Sequence, residues 1–168
     1  MPSMFETTIP PLKRTLSNLA NLLKKAEEHA DAKNIEHSVL LNSRLYPDMY
    51  PLIRQVQIAT DMSKGGAARL AGVEIPKYED TETTFGELYA RIAKTIAFIE
   101  TISPAQMEGC ETRDITITIR KIDLNFTGQS YLLTWVLPNV YFHVTTAYNI
   151  LRHNGVELGK PDFLGPRK

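Results

Sequence analysis

Cysteine is nearly absent: Cys110 is the one thiol in 168 residues. No internal disulfide can brace the fold, and a reducing compartment is expected, most simply the cytoplasm. An excess of either charge is also missing, because 19 Lys and Arg balance 19 Asp and Glu. Without a basic block there is no electrostatic footprint for DNA or RNA, so no nucleic-acid partner is expected. No apolar run approaches the roughly 20 residues of a membrane helix, and no membrane association is expected. The opening MPSMFETTIPPLKR lacks the basic-then-apolar order of a secretion signal. In that setting the sequon Asn125-Phe126-Thr127 reads as chance. There is no Gly-rich phosphate loop, no Cys-x-x-Cys, no spacing cue for a Ser/His/Asp set and no internal repeat.

What is present is ordinary globular material, with 43% hydrophobic and 23% charged residues. The length suits a single domain over residues 1–168. Ile9, Leu12, Leu16, Leu19, Leu23, Ala26 and Ala30 recur at alternating spacings of 3 and 4, the stripe of an amphipathic helix. That helix is placed at about residues 9 to 31, capped by Thr7 or Thr8, with Pro10 and Pro11 in its first turn. A short helix is expected around Glu36 to Asn42. A second long helix is expected to start near Asp48, with Pro51 in its first turn and Gly72 as its stop. Gly65-Gly66 inside it reads as a kink or as a place where another helix comes close. Thr84-Phe85-Gly86-Glu87 is a capping box opening a third helix along Phe85, Leu88, Ile92, Ile96 and Ile99, ended by Ser103-Pro104.

From Asp114 the period changes to 2. Ile115, Ile117 and Ile119 alternate with threonines, and Ile122, Leu124 and Phe126 alternate with polar residues. These are two half-buried strands of a hairpin whose Arg120-Lys121 link lacks Asn-Gly chemistry, so the turn type stays open. An isolated hairpin is marginal in water, so its apolar face needs the helices or a partner chain. The last helix is placed at about Gly128 to Asn154, with Pro138 breaking or kinking it midway. The tail VELGKPDFLGPRK reads as loop lying across the helices. The expected fold is mainly all-α, an antiparallel four-helix bundle with a small hairpin between the third and fourth long helices. Its long connections imply that not every helix joins its nearest neighbour.

The chemistry concentrates on the last helix. Asn139 and His143 are one turn apart on the same side of its apolar stripe, with Thr146 next along. That spacing suits two ligands on one helix, although Asn is a weak, neutral oxygen donor. Asn139 has a second reading, in which it bonds backbone that Pro138 leaves free. Thr146 is the kind of residue that bonds its own helix backbone. Gln55, Gln57 and Asp61 are the polar positions of the second helix that could complete a site. The bland alternative for Gln55 and Asp61 is solvation, or pairing with Arg54 and Lys64. Tyr148 lies on the other flank, and His37 and His153 read as surface residues. The acids flanking Cys110 should raise its pKa and leave it unreactive.

The run His143-Val-Thr-Thr-Ala-Tyr-Asn-Ile-Leu151-Arg152-His-Asn-Gly155 resembles the last helix of the DinB/YfiT-like superfamily. More closely, the chain is similar over nearly its full length to a branch of it known as a domain of unknown function. The segments LLNSRLYPDMYPLIRQVQIATD, GVEIPKYEDTETTFGEL, RIAKTIAFIE and LPNVYFHVTTAYNILRHNGVELGKPDFLG carry that likeness. The resemblance implies metalloenzymes, some of them thiol-dependent transferases or isomerases. Their metal is held by one histidine on the second helix and a His-x-x-x-His pair on the last. His143 takes the second place of that pair, Asn139 stands at the first, and the second helix has no histidine. Any zinc or nickel would rest on His143, Asn139 and Gln55, a set these metals bind weakly.

Three readings follow. The first is a small-molecule pocket of Gln55, Asn139, His143 and Thr146, with a degenerate metal site and His143 as general base. The second is a divalent-metal-dependent thiol transferase or isomerase. The third is a non-catalytic homodimer that binds or scaffolds. A homodimer is expected from the helical scaffold and the hairpin that needs covering.

Overall fold

The computed structural model describes residues 2–166. It is mainly helical, with one two-stranded antiparallel sheet. Helix α1 spans Met4–Lys33 and therefore starts a turn and a half before the expected place. Ser3, not Thr7 or Thr8, is its cap. The Ser3 hydroxyl accepts from the Glu6 N–H, and the Glu6 carboxylate accepts from the Ser3 N–H at 2.7 Å. Pro10 and Pro11 sit inside the helix, where the carbonyls four residues earlier lose their donors. The stripe from Ile9 to Ala30 is buried as expected.

Helix α2 is the short His37–Leu41. Helix α3, Leu52–Ala71, begins after Pro51 and not at Asp48, and Gly72 ends it at φ +70°. Helix α4, Phe85–Glu100, opens with the Thr84/Glu87 capping box. Two short 3-10 turns, Pro104–Met107 and Cys110–Thr112, lead into the hairpin of β1, Asp114–Ile119, and β2, Ile122–Thr127. The strands pair in register from Asp114 opposite Thr127 to Ile119 opposite Ile122. Arg120 and Lys121 both take positive φ, 49° and 68°, the signature of a type I′ turn built without the glycine or asparagine that usually relieves it.

The final helical run is continuous but irregular. Helix α5, Gly128–Ser130, passes into a π-helical stretch, Tyr131–Val136, and then into α6, Leu137–His153. Pro138 has no N–H to donate, and the wider π turn immediately before it absorbs the fault that a sharp kink was expected to mark. Val136 points into α3 at Gly66, where a Cβ would meet its Cγ1 at 2.5 Å. Gly66 thus marks a close approach in an unbroken helix, while a Cβ at Gly65 would meet only Arg69 of the same helix. Helix α7, Lys160–Leu164, lies in the tail expected to be loop. It docks on α1, with Arg14 donating to the Leu164 carbonyl and Asn18 to that of Phe163.

Helix α1 packs chiefly on α4, α7 and α6, and α3 on α6 and α4. The hairpin is covered by its own chain: Ile115 and Ile117 are buried, and the Phe126 ring packs against Tyr131 and Trp135. The need for a partner over its apolar face is removed, except at its tip. Among the described residues no helix is long and apolar enough to cross a membrane.

Candidate functional site

Gln55 and His143 meet across the α3–α6 contact. The His143 Nδ1 lies 2.7 Å from the Gln55 Oε1, and the Gln55 Nε2 donates to the Tyr50 carbonyl at 2.9 Å. The second bond fixes the first. A carbonyl only accepts, so the amide nitrogen of Gln55 faces Tyr50 and its oxygen faces the imidazole. That oxygen also only accepts, so Nδ1 carries the proton. In the neutral ring the lone pair therefore resides on Nε2. Gln55 is 2% exposed, which corrects its reading as a solvated side chain or a partner of Arg54. His143 is half-buried. Burial first, and the Arg54 charge second, hold its pKa below the usual histidine value.

The other two residues of the expected set turn away. Asn139 Nδ2 donates to the Trp135 carbonyl at 2.7 Å, within the π-helical stretch. Thr146 is buried and donates to the Phe142 carbonyl at 2.8 Å. Both serve their own helix backbone. The Oδ1 of Asn139 stays available as an acceptor one turn from His143. One aromatic ring stands beside the imidazole, and the Tyr50 ring lies under the Arg54 guanidinium at 5.9 Å. Phe142 meets the imidazole edge-on at 5.2 Å, and Phe142 and Tyr50 are each 58% exposed. No charged side chain occurs from Gly128 to Leu151, although Leu133, Tyr141 and Phe142 on that run face solvent. Two sizeable grooves lie elsewhere, one along α1 and α7 and one beside the N-terminus of α1, and neither is lined by Gln55, Asn139, His143 or Thr146.

The donor set does not fit a zinc or nickel ion. It offers one imidazole, already committed through Nδ1, and two neutral amides, each directed at backbone through its NH2 group. Among the described residues no three His, Cys, Asp or Glu side chains gather to hold a metal.

A cluster that the sequence reading missed lies beside this site. Arg91 of α4 is 3% exposed. Its Nε donates to the Thr60 hydroxyl at 2.8 Å, and its Nη1 to the Glu79 carbonyl and to Glu82 at 2.9 Å. Its Nη2 reaches Asp61 at 2.8 Å and Asp80 at 3.0 Å. Arg54 joins Asp80 and Gln57, and Gln57 donates to Glu82. Lys64 pairs with Asp61 and sits 3.7 Å over the Tyr78 ring. Gln57 and Asp61 are thus structural: they pin the acidic stretch Tyr78–Glu82 onto α3 and α4. Burial alone would push the Glu82 carboxyl up, but the bonds from Arg91 and Gln57 more than offset it, and the group ends below the usual range. Tyr148 packs edge-on against Phe163 of the tail. Cys110 is fully buried, and burial more than its acidic neighbour raises its thiol pKa.

Comparison with known proteins places this architecture among DinB-like proteins. The solved structure of a DinB family member from Shewanella denitrificans is 44% identical, with a TM-score of 0.92, covering 98% of this chain and 93% of that one. The description "Domain of unknown function (DUF1993)" matches residues 4–164, and the chain belongs to that family. Among functionally curated proteins none matches.

Proposed function

We propose that the protein is a DinB-like four-helix bundle with a degenerate metal site, which binds a small organic molecule at the Gln55–His143 pair in the cytoplasm. The observation that carries this reading is the relay from the Tyr50 carbonyl through Gln55 to Nδ1. It holds the imidazole in one tautomer and one orientation, a provision that a merely space-filling histidine does not need. His143 Nε2 then accepts a hydrogen bond from the ligand, or takes a proton from it as general base. Asn139 Oδ1 offers a second acceptor one turn away. The Phe142 ring supplies a flat apolar wall, so the ligand has an apolar body and an acidic N–H or O–H.

The test is a metabolite screen read by chemical-shift changes at the His143 side-chain nitrogens, with His143→Ala as control. The expected result is a ligand that shifts Nε2 in the wild type and fails to bind the variant. Near-stoichiometric zinc or nickel in purified protein, lost in His143→Ala, would overturn this reading in favour of a metalloenzyme.

A further inference from the structure

The hairpin leaves one part of itself uncovered. At its tip Ile119 is 39% and Ile122 63% exposed, and they flank Arg120 and Lys121, both held at positive φ. The other apolar side chains of the hairpin pack on its own chain, so the tip presents two isoleucines and two cations to solvent. A groove of about 720 Å³ lies between the N-terminal turn of α1, the Pro104–Met107 turn and the π-helical stretch. Met107 and Leu132 are its buried apolar residues, Phe5 is half-buried and Leu133 is exposed. Glu108 and Glu111 are its charged lining residues, and among the described residues no Lys or Arg lines it. Tip and groove complement each other in both polarity and charge.

A chain cannot fill its own groove in this way. Glu111 and Gln129 of the lining stand within three residues of the strand ends Asp114 and Thr127. The tip lies six residues further along each strand, about 17–20 Å away. In a two-fold pair, however, an arm that reaches from one copy to the base of the other's arm is returned by its twin, and the assembly closes. We propose that a second copy of this chain seats its hairpin tip in this groove. Ile119 and Ile122 lie against Phe5, Leu132 and Leu133, and Arg120 and Lys121 face Glu108 and Glu111, with both copies engaged reciprocally.

Sedimentation velocity across micromolar to sub-millimolar protein tests this. The wild type should show a monomer–dimer equilibrium. Ile122→Asp, at a solvent-exposed site, should keep the helical circular dichroism and weaken the dimer about ten-fold or more. Reversing the tip charges with Arg120→Glu and Lys121→Glu should dissociate it, and adding Glu108→Lys and Glu111→Lys should restore it. A monomer at every concentration overturns the proposal. So does a dimer indifferent to Ile122→Asp, or a charge reversal that the second pair does not rescue. A dimer broken by Phe142→Asp but not by the tip variants assigns the interface to the uncharged face of α6 and equally overturns it.

Discussion

Replacing Arg91 by Met should destabilise the protein by about 3 kcal/mol. Removing one partner of a buried ion pair costs roughly 3–5 kcal/mol, because the remaining charge stays desolvated. Here the orphaned carboxylates differ. The Glu82 side chain is 12% exposed and stays buried, while those of Asp61 and Asp80, at 39% and 37%, can take up water. Asp61 also keeps Lys64, and Asp80 keeps Arg54. These compensations set the cost at the low end of the range. The Thr60 hydroxyl and the Glu79 carbonyl lose a donor as well, which keeps the cost from falling much lower. Methionine fills most of the vacated volume, so cavity formation adds little. Urea unfolding followed by circular dichroism at pH 7 measures the difference. Thermal melting should fall by about 6–12 °C at 2–4 °C per kcal/mol for a chain of this size. A second substitution, Glu82→Leu, should cost less in the Arg91→Met background than alone, because no unpaired charge is then created. A loss under about 1 kcal/mol for Arg91→Met would refute the reasoning and mark the network as solvated.

Two further outcomes are expected. Gly66→Ala places a methyl 2.5 Å from Val136 Cγ1; overpacking of about 1–3 kcal/mol should outweigh the gain of about 1 kcal/mol in helix propensity, and Val136→Ala should rescue it in a paired urea titration. The folded state holds the His143 pKa below its unfolded value of 6.5, so the unfolded chain binds the extra proton first and stability should fall as the pH drops below about 6.5. Urea midpoints at pH 8 and pH 5 should therefore diverge more in the wild type than in His143→Gln, and equal divergence would contradict the burial argument.

The elements legible in the sequence were those set by local chemistry. The Thr84/Glu87 box, the Gly72 stop and the period-2 alternation of the strands all depend on neighbours within a few residues. The start of α1 has an equally local signal, since Ser3 and Glu6 form the same kind of box as Thr84 and Glu87, but Pro10 and Pro11 are usual in a first turn and point to a start nearer to them. Helix α7 was not legible, because five residues do not sustain a helix alone and this one is held by α1. At the candidate site, spacing put Asn139, His143 and Thr146 on one side of α6. It carried no information on which of them would turn back to backbone. That Gln55 is buried and oriented by Tyr50 depends on the path of the α2–α3 connection. The Arg91 cluster has a faint signal in the acidic run Tyr78-Glu-Asp-Thr-Glu82, whose three carboxylates outnumber the one adjacent cation, Lys77.

The docking of α7 on α1 has a consequence for the order of events at the ribosome. Arg14 is joined to Leu164, Asn18 to Phe163 and Lys25 to Asp162, across separations of 150, 145 and 137 residues. Gly165, at φ +74°, brings its backbone so close to Asn18 that a Cβ would lie 2.3 Å from the amide oxygen. Helix α1 therefore receives part of its cover from a segment 137 to 150 residues further along the chain. Contacts so distant along the chain slow folding, and they form only once residues 160–165 have left the ribosome. Until then α1 stays amphipathic and half-covered. A chain cut back to before Lys160 would keep every long helix and lack the clasp that closes over α1.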